Sequence, residues 1–172
     1  MKTLLFCGNL NYPPNLEGIR WFMQHVWPLL QKQENTSRLQ IVGLSSKDDL
    51  LSSIIGDSVS VALNAPSVLP YYDSSSLVIV PIRVGGGTRI KLLEAFACRR
   101  PVVSTTIGAE GIDARAGEHL FLADSPQEFA DACIKALNDY PLCRQMTEKS
   151  LDLVRERYDT SVVAARIGEL FS

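Results

Sequence analysis

Histidine is scarce in this chain: only His25 and His119 occur among 172 residues. They stand far apart, and neither a paired-histidine motif nor a metal-spaced acidic cluster accompanies them. His25 falls among aromatic and apolar residues and reads as a packing residue, His119 as structural or exposed. Neither belongs to a catalytic constellation. The four cysteines, Cys7, Cys98, Cys133 and Cys143, include no CxxC pair. They therefore signal neither a zinc site nor a disulfide framework, and they fit a reducing compartment. Neither sign of charge dominates: 17 basic residues face 19 acidic ones, for a net charge of -2. Bulk electrostatics therefore recruit no nucleic acid. Long hydrophobic runs are missing too. The apolar run near the N-terminus, Thr3 to Cys7, is too short for a signal peptide core or a transmembrane segment. A soluble cytoplasmic protein is expected. There is no internal repeat, low-complexity tract or long linker, so a single domain over residues 1–172 is the simplest organisation.

What is present is enough apolar material, 46% of residues, to build a real core. Strand-like and helix-like stretches alternate. Strands are expected at Thr3–Cys7, Leu39–Leu44, Val59–Leu63, Leu77–Val80, Pro101–Thr105 and His119–Ala123. Helices are expected at Asn15–Leu30 with Asn15 as N-cap, at Ser46–Ile55, at Thr88–Cys98 and at Pro126–Asn138, with two more at Leu142–Arg157 and Thr160–Leu170. Pro28 should kink the first helix or end its regular part. Of its aromatics Trp21, Phe22 and Trp27, the first two should pack on the sheet. Apolar strands between helices argue for a parallel sheet covered on both faces, a Rossmann-like doubly wound α/β fold. The last two helices have no strand between them and should form a C-terminal appendage or reach toward something else.

The stretch "VGGGTRIKLLEAF" (Val84–Phe96) carries the strongest chemical signal. Gly85, Gly86 and Gly87 follow a strand closely, at the carboxyl edge where such sheets bind ligands. Glycines allow close backbone approach, and a glycine loop entering a helix leaves N–H groups free for a phosphate. Thr88 opens the helix, and Arg89 and Lys91 add positive charge. Read at 100° per residue, Ile90, Leu92, Leu93, Phe96 and Ala97 form the apolar face, with Lys91, Glu94 and Cys98 on the other side. Glu94 could accept hydrogen bonds from ribose hydroxyls, or simply pair with Lys91 at i,i+3. Taken alone, the loop matches neither the GxGxxG nor the GxxxxGK[ST] phosphate-binding pattern.

The wider segment "VIVPIRVGGGTRIKLLEAFACRRPVVSTTIGAEGI" (Val78–Ile112) closely resembles the nucleotide-sugar-binding half of retaining glycosyltransferases with the two-domain GT-B fold. "LLFCGNLNYPPNLEGIRWFMQHVWPLL", "LPYYDSSSLVIVP" and "LADSPQEFADACIKAL" extend that resemblance over nearly the whole chain. It implies a donor-binding domain that takes a nucleoside-diphosphate sugar as substrate and needs no cofactor or protein-bound metal. It also implies catalysis by electrostatic stabilisation of the departing diphosphate. The donor-binding residues it implies are Gly85, Gly86, Gly87, Thr88, Arg89, Lys91 and Glu94, with Gly108, Glu110 and Gly111 lining the same cleft. Glu94 matches the family's second glutamate, which usually holds the donor ribose.

Some positions depart from the family pattern. Gly86 stands where a first glutamate often lies. "GNLNYPPN" lacks the arginine–lysine pair often found after the first strand, leaving Arg89 and Lys91 to supply part of that charge. Arg99 replaces a usual glycine. The family's enzymes place an acceptor-binding domain across the cleft, so a separate domain or chain, or a second copy of this one, is the expected partner, and the chain alone should not transfer sugar efficiently. Two other readings compete: a catalytically silent nucleotide-binding or protein-interaction module with the same fold, and an unrelated nucleotide-binding α/β protein. Glu94 should matter to binding rather than folding, with Glu94→Ala costing within about 0.5 kcal/mol.

Overall fold

Runs of leucine, valine and isoleucine pair side by side as strands in the computed structural model, which describes residues 2–45, 56–87 and 89–159. The strands are β1 (Thr3–Cys7), β2 (Arg38–Gly43), β3 (Val59–Leu63), β4 (Leu77–Val80), β5 (Val102–Ser104) and β6 (Phe121–Leu122). They form one sheet in the order β3-β2-β1-β4-β5-β6, and every pairing is parallel. β1 and β4 are buried along their full length, as a sheet covered on both faces requires. This is the expected Rossmann-like doubly wound α/β architecture, and the strand order reverses between β1 and β4, where such sheets open a ligand crevice.

One face is covered by α1 (Pro13–Trp21), a π-helical segment (Phe22–Val26), α2 (Trp27–Gln33) and α6 (Pro126–Asn138). Leu4 and Phe6 of β1 meet Trp21, Phe22, Trp27 and Phe129 there. Trp21 and Phe22 each lie edge-on to Phe129 at 5.8 Å between ring centroids, a favoured aromatic geometry. Trp21 and Phe22 thus pack as expected. The other face receives α3 (Leu69–Ser74), α4 (Ile90–Ala97) and α7 (Tyr140–Arg157). There Leu5 and Cys7 of β1 join Tyr72, Leu92, Phe96 and Leu153. The period-2 alternation of β1 divides its side chains between the two cores. Each fully buried aliphatic or aromatic side chain contributes about 1.5–3 kcal/mol.

Several local expectations are corrected. The first helix begins at Pro13 with Tyr12 as N-cap, because two prolines suit a first turn that lacks hydrogen-bond acceptors for its N–H groups. Asn15 is instead a buried residue whose amide donates to the Asn9 carbonyl at 2.8 Å. Pro28 does interrupt the regular part of that helix, as expected, although helical structure resumes in α2. It lacks an N–H and its ring crowds the carbonyl four residues back, and just ahead of it the register widens so that Trp27 N–H reaches Phe22 O, a π turn. His25 is exposed, since it lies on the outer side of that segment. α7 is not an appendage: Leu153, Val154 and Tyr158 pack into the second core. α3 and a short α5 (Thr106–Ala109) were not expected as helices. The helix expected at 46–55, Thr88 at the head of another and the helix expected from Thr160 lie outside the described residues.

The C-terminus of α4 has a specific form. Arg99 N–H donates to Phe96 O at 3.0 Å and Arg100 N–H to Ala95 O at 2.9 Å, the paired bonds of a Schellman motif. Arg99 takes its left-handed position, with φ 53. Glycine is the usual occupant, and a side chain there costs about 1 kcal/mol or more.

Candidate functional site

The carboxyl ends of β1, β2 and β4 converge at the point where the strand order reverses. β1 runs into Gly8 and β2 ends in Gly43, and the two backbones touch. A Cβ on Gly43 would lie 1.8 Å from the Gly8 carbonyl oxygen, so only glycine fits. Beside this contact is a cavity of about 180 Å³ lined by Cys7, Gly8, Gly43, Leu44, Val68 and Glu94, among others.

From β4 the chain passes through Pro81–Gly87 to α4. Gly85 and Gly87 have φ of 95 and 109, a region that side chains rarely adopt. No side chain would obstruct an approach to Gly86 or Gly87, because a Cβ there would meet nothing within 4 Å. Tyr12 hydroxyl donates to Gly86 O at 3.2 Å. Arg89 is buried behind the loop. Its Nη2 donates to Gly85 O and to Ile107 O, both at 2.8 Å, and its Nη1 to Gly86 O at 3.4 Å. Its Nε has no partner among the described residues. The guanidinium therefore ties the glycine loop to α5. Among the described residues no side chain caps the start of α4, so the positive end of its dipole faces the loop.

Lys91 and Glu94 do not form the i,i+3 ion pair that their spacing allows. Lys91 Nζ donates to Asn15 Oδ1 at 2.5 Å and lies 5.0 Å from the centre of the Phe6 ring. A Cβ on Gly8 would lie 2.9 Å from that Nζ, so the ammonium sits at the carboxyl end of β1. That end is where the loop sequence carries no cation of its own. Burial above all, with Cys7 and Glu94 opposing it and Arg89 adding to it, brings the Lys91 pKa down to about 8. Glu94 accepts a hydrogen bond from the Tyr72 hydroxyl at 3.0 Å. Tyr72 is fully buried, and burial pushes its phenol pKa well above the ordinary range, helped by Cys7 and Glu94. Burial also raises the Cys7 thiol pKa, with Glu94 adding to the effect.

The apolar face of α4 differs from the one read off the sequence. Leu92, Ala95 and Phe96 are buried, while Ile90 is 58% exposed. The helix is rotated so that Lys91 and Glu94 flank the sheet side, at the end of β1. Gly108 is buried in α5, where a Cβ would lie 2.5 Å from Ser104 Oγ and 2.6 Å from Val80 O. Thr106 N–H and hydroxyl donate to the two oxygens of Asp124 at 2.8 and 2.7 Å. Glu110 and Gly111 are exposed just beyond. The structure thus gathers Gly85–Gly87, Arg89, Lys91 and Glu94 along one edge, with the Gly108–Gly111 segment joined to it through Arg89 and Ile107. Sequence reasoning missed Tyr72, Asn15 and Gly43. Only the glycine closing an apolar strand offered a signal, because the other two act through contacts remote in sequence. Among the described residues no group of three or more His, Cys, Asp or Glu is placed to hold a metal. Likewise, none of the described helices is long and apolar enough to cross a membrane.

A family model for glycosyl transferases group 1 matches residues 1–139. A curated relative, an uncharacterized 44.6 kDa protein in the cps region of Klebsiella pneumoniae, is 29% identical over 96% of this chain. The chain spans 45% of that relative's length. The C-terminal domain of a glycosyl transferase group 1 family protein (LpcC) from Francisella tularensis superposes with a TM-score of 0.76 at 18% identity, covering 92% of this chain and 87% of that one. TarM of S. aureus, solved in a complex that includes UDP, gives 0.84 at 19% identity, over 99% of this chain and 35% of that chain. Anabaena HepE in complex with UDP-glucose gives 0.75 at 17% identity, over 98% and 48%. At these identities the structural likeness is one of fold.

Proposed function

The chain belongs to the glycosyl transferases group 1 family, and from that premise we propose that it is the donor-binding half of a glycosyltransferase, taking a uridine or guanosine diphosphate sugar. The base and ribose enter the cavity beside Glu94, whose carboxylate accepts hydrogen bonds from the ribose hydroxyls. The diphosphate lies against Gly85–Gly87 and the start of α4, where backbone N–H groups and the helix dipole favour an anion. Lys91 contributes its charge from the end of β1. Gly108, Glu110 and Gly111 line the sugar side. TarM and HepE were each solved with UDP or its glucose conjugate, which makes uridine diphosphate the first nucleotide to test. The observation that carries this reading is the placing of Glu94 on the wall of a cavity at the sheet's reversal point, with the Lys91 ammonium at the adjoining end of β1 and an open glycine loop ahead of α4.

In this role the protein stabilises the diphosphate as it leaves, through amides and an ammonium already in place. Transfer further requires an acceptor held in register with the donor, and that task falls to a second domain, a separate chain or a second copy. The deciding experiment is calorimetric titration with UDP and GDP on the wild type and Glu94→Ala. Binding that falls about tenfold or more in the variant supports the reading. Equal affinities would remove Glu94 from the site. One observation favours a silent binding module as the second reading. Arg89 is occupied by the carbonyls of Gly85, Gly86 and Ile107, so the diphosphate would meet a single ammonium whose own pKa is depressed. Donor turnover in the presence of a supplied acceptor domain separates the two.

A further inference from the structure

A larger cavity, about 580 Å³, opens at the opposite, amino edge of the sheet, between the strand entries and α7. That volume falls in the range of small-molecule sites. Its walls include Pro101, Ala136 and Leu137, with the exposed ring of Tyr140 also lining it. Lys2, Arg99, Arg100 and Arg144 line it too, against a single carboxylate, Glu148. The chain as a whole is slightly acidic, so this is a local concentration of positive charge that focuses an attractive field on anions.

These cations are not equally engaged. Lys2 pairs with Glu34 at 2.8 Å and Arg144 with Glu148 at 3.2 Å. Arg100 donates from Nε to Cys98 O and from Nη1 to Ser75 O, each at 3.1 Å, which fixes its plane. Arg99 makes no side-chain hydrogen bond or ion pair among the described residues. It is also the residue held at φ 53 in the Schellman position, where glycine would sit without strain. A strained backbone position that carries an unpartnered cation on a cavity wall fits a ligand-facing role.

We infer that this cavity is an anion site for a small phosphate ester with an apolar or aromatic body. Arg99 and Arg100 receive the phosphate, arginine being suited to bidentate phosphate contact. The body lies on Pro101 and Leu137, with the Tyr140 ring as a wall. The site is at the far edge from the donor cleft and does not depend on the donor reading.

The test is an NMR titration of the full chain with phenyl phosphate at low salt, with phenol as the uncharged control. The expected result is shift changes at Ser75, Ser76, Arg99, Leu137 and Tyr140, weakened by added salt. Arg99→Gly suits the left-handed backbone and so preserves the fold, and it should weaken binding about tenfold. Arg144→Ala should weaken it less. Shifts confined to Gly85–Glu94, unchanged affinity in Arg99→Gly, or phenol binding as tightly as phenyl phosphate would each overturn the inference.

Discussion

Glu94→Ala should destabilise the protein more than its position on the helical wheel suggests, because it strands a hydroxyl. Tyr72 is fully buried and donates to the Glu94 carboxylate at 3.0 Å. Removing the carboxylate leaves that donor unsatisfied, which costs about 1–3 kcal/mol. Two features hold the cost near the low end. The Lys91 carbonyl lies 3.4 Å from the same hydroxyl, and the adjoining cavity of about 180 Å³ has room for a water beside it. A loss of about 1 kcal/mol results, and a urea slope near 2 kcal/mol/M converts it to a midpoint shift of about 0.5 M. Tyr72→Phe removes the donor and should cost a similar amount. In the double variant neither partner is stranded, so the combined loss should fall short of the sum by about 1 kcal/mol, as contacting residues do. Urea unfolding of the wild type, both single variants and the double variant measures this directly. A wild-type midpoint for Glu94→Ala, or strict additivity, would refute the reasoning. Tyr72→Phe should also weaken UDP binding about threefold, because the carboxylate must then be ordered on binding.

Lys91 introduces a pH dependence. Its folded-state pKa, about 8 against an ordinary lysine value of 10.5, lies below the unfolded one, so the unfolded chain binds more protons between those values. Stability should therefore rise as pH goes from about 8 toward 10.5, and Lys91→Met should flatten that rise in denaturation curves taken across the range. UDP affinity should fall over the first part of the same interval as the ammonium is lost, and calorimetry should find that fall missing in Lys91→Met. Gly43→Ala places a methyl 1.8 Å from the Gly8 carbonyl oxygen and should cost about 3 kcal/mol or more, seen as a large drop in melting temperature. Arg99→Gly should stabilise the fold by about 0.5–1 kcal/mol by relieving its positive φ, raising the midpoint by about 1–4 °C.

The sheet was legible because its strands are continuous apolar runs. β1, β3 and β4 have the limits that their sequences suggest, and α6 announces itself by Ser125 and Glu128, a complete capping box, with Pro126 in its first turn. Elements that depend on tertiary contact were not legible. α3 is a short helix opened by a proline and followed by serines, a composition equally suited to a turn. The orientation of α4 was misjudged because isoleucine and alanine count as apolar wherever they fall on the wheel. Ile90 ends up exposed and Ala95 buried, since the sheet decides which side is covered. The glycine loop, Lys91 and Glu94 could be picked out as a candidate site from local pattern. Their partners could not, because Tyr72 meets Glu94 across 22 positions and Asn15 meets Lys91 across 76.

The hold of Arg89 on the glycine loop reaches beyond its own charge. In a trans peptide the carbonyl of one residue and the N–H of the next point in opposite directions within the same rigid plane. Arg89, buried behind the loop, draws the carbonyls of Gly85 and Gly86 toward itself. The N–H groups of Gly86 and Gly87 are thereby turned to the outer side, where a Cβ would meet nothing within 4 Å. The guanidinium works like a hand inside a puppet, setting from the rear which polar atoms the loop shows in front. A lysine in its place has no planar fork to hold two successive carbonyls at once. The polarity of the loop's outer surface is thus written by a side chain that is itself hidden from view.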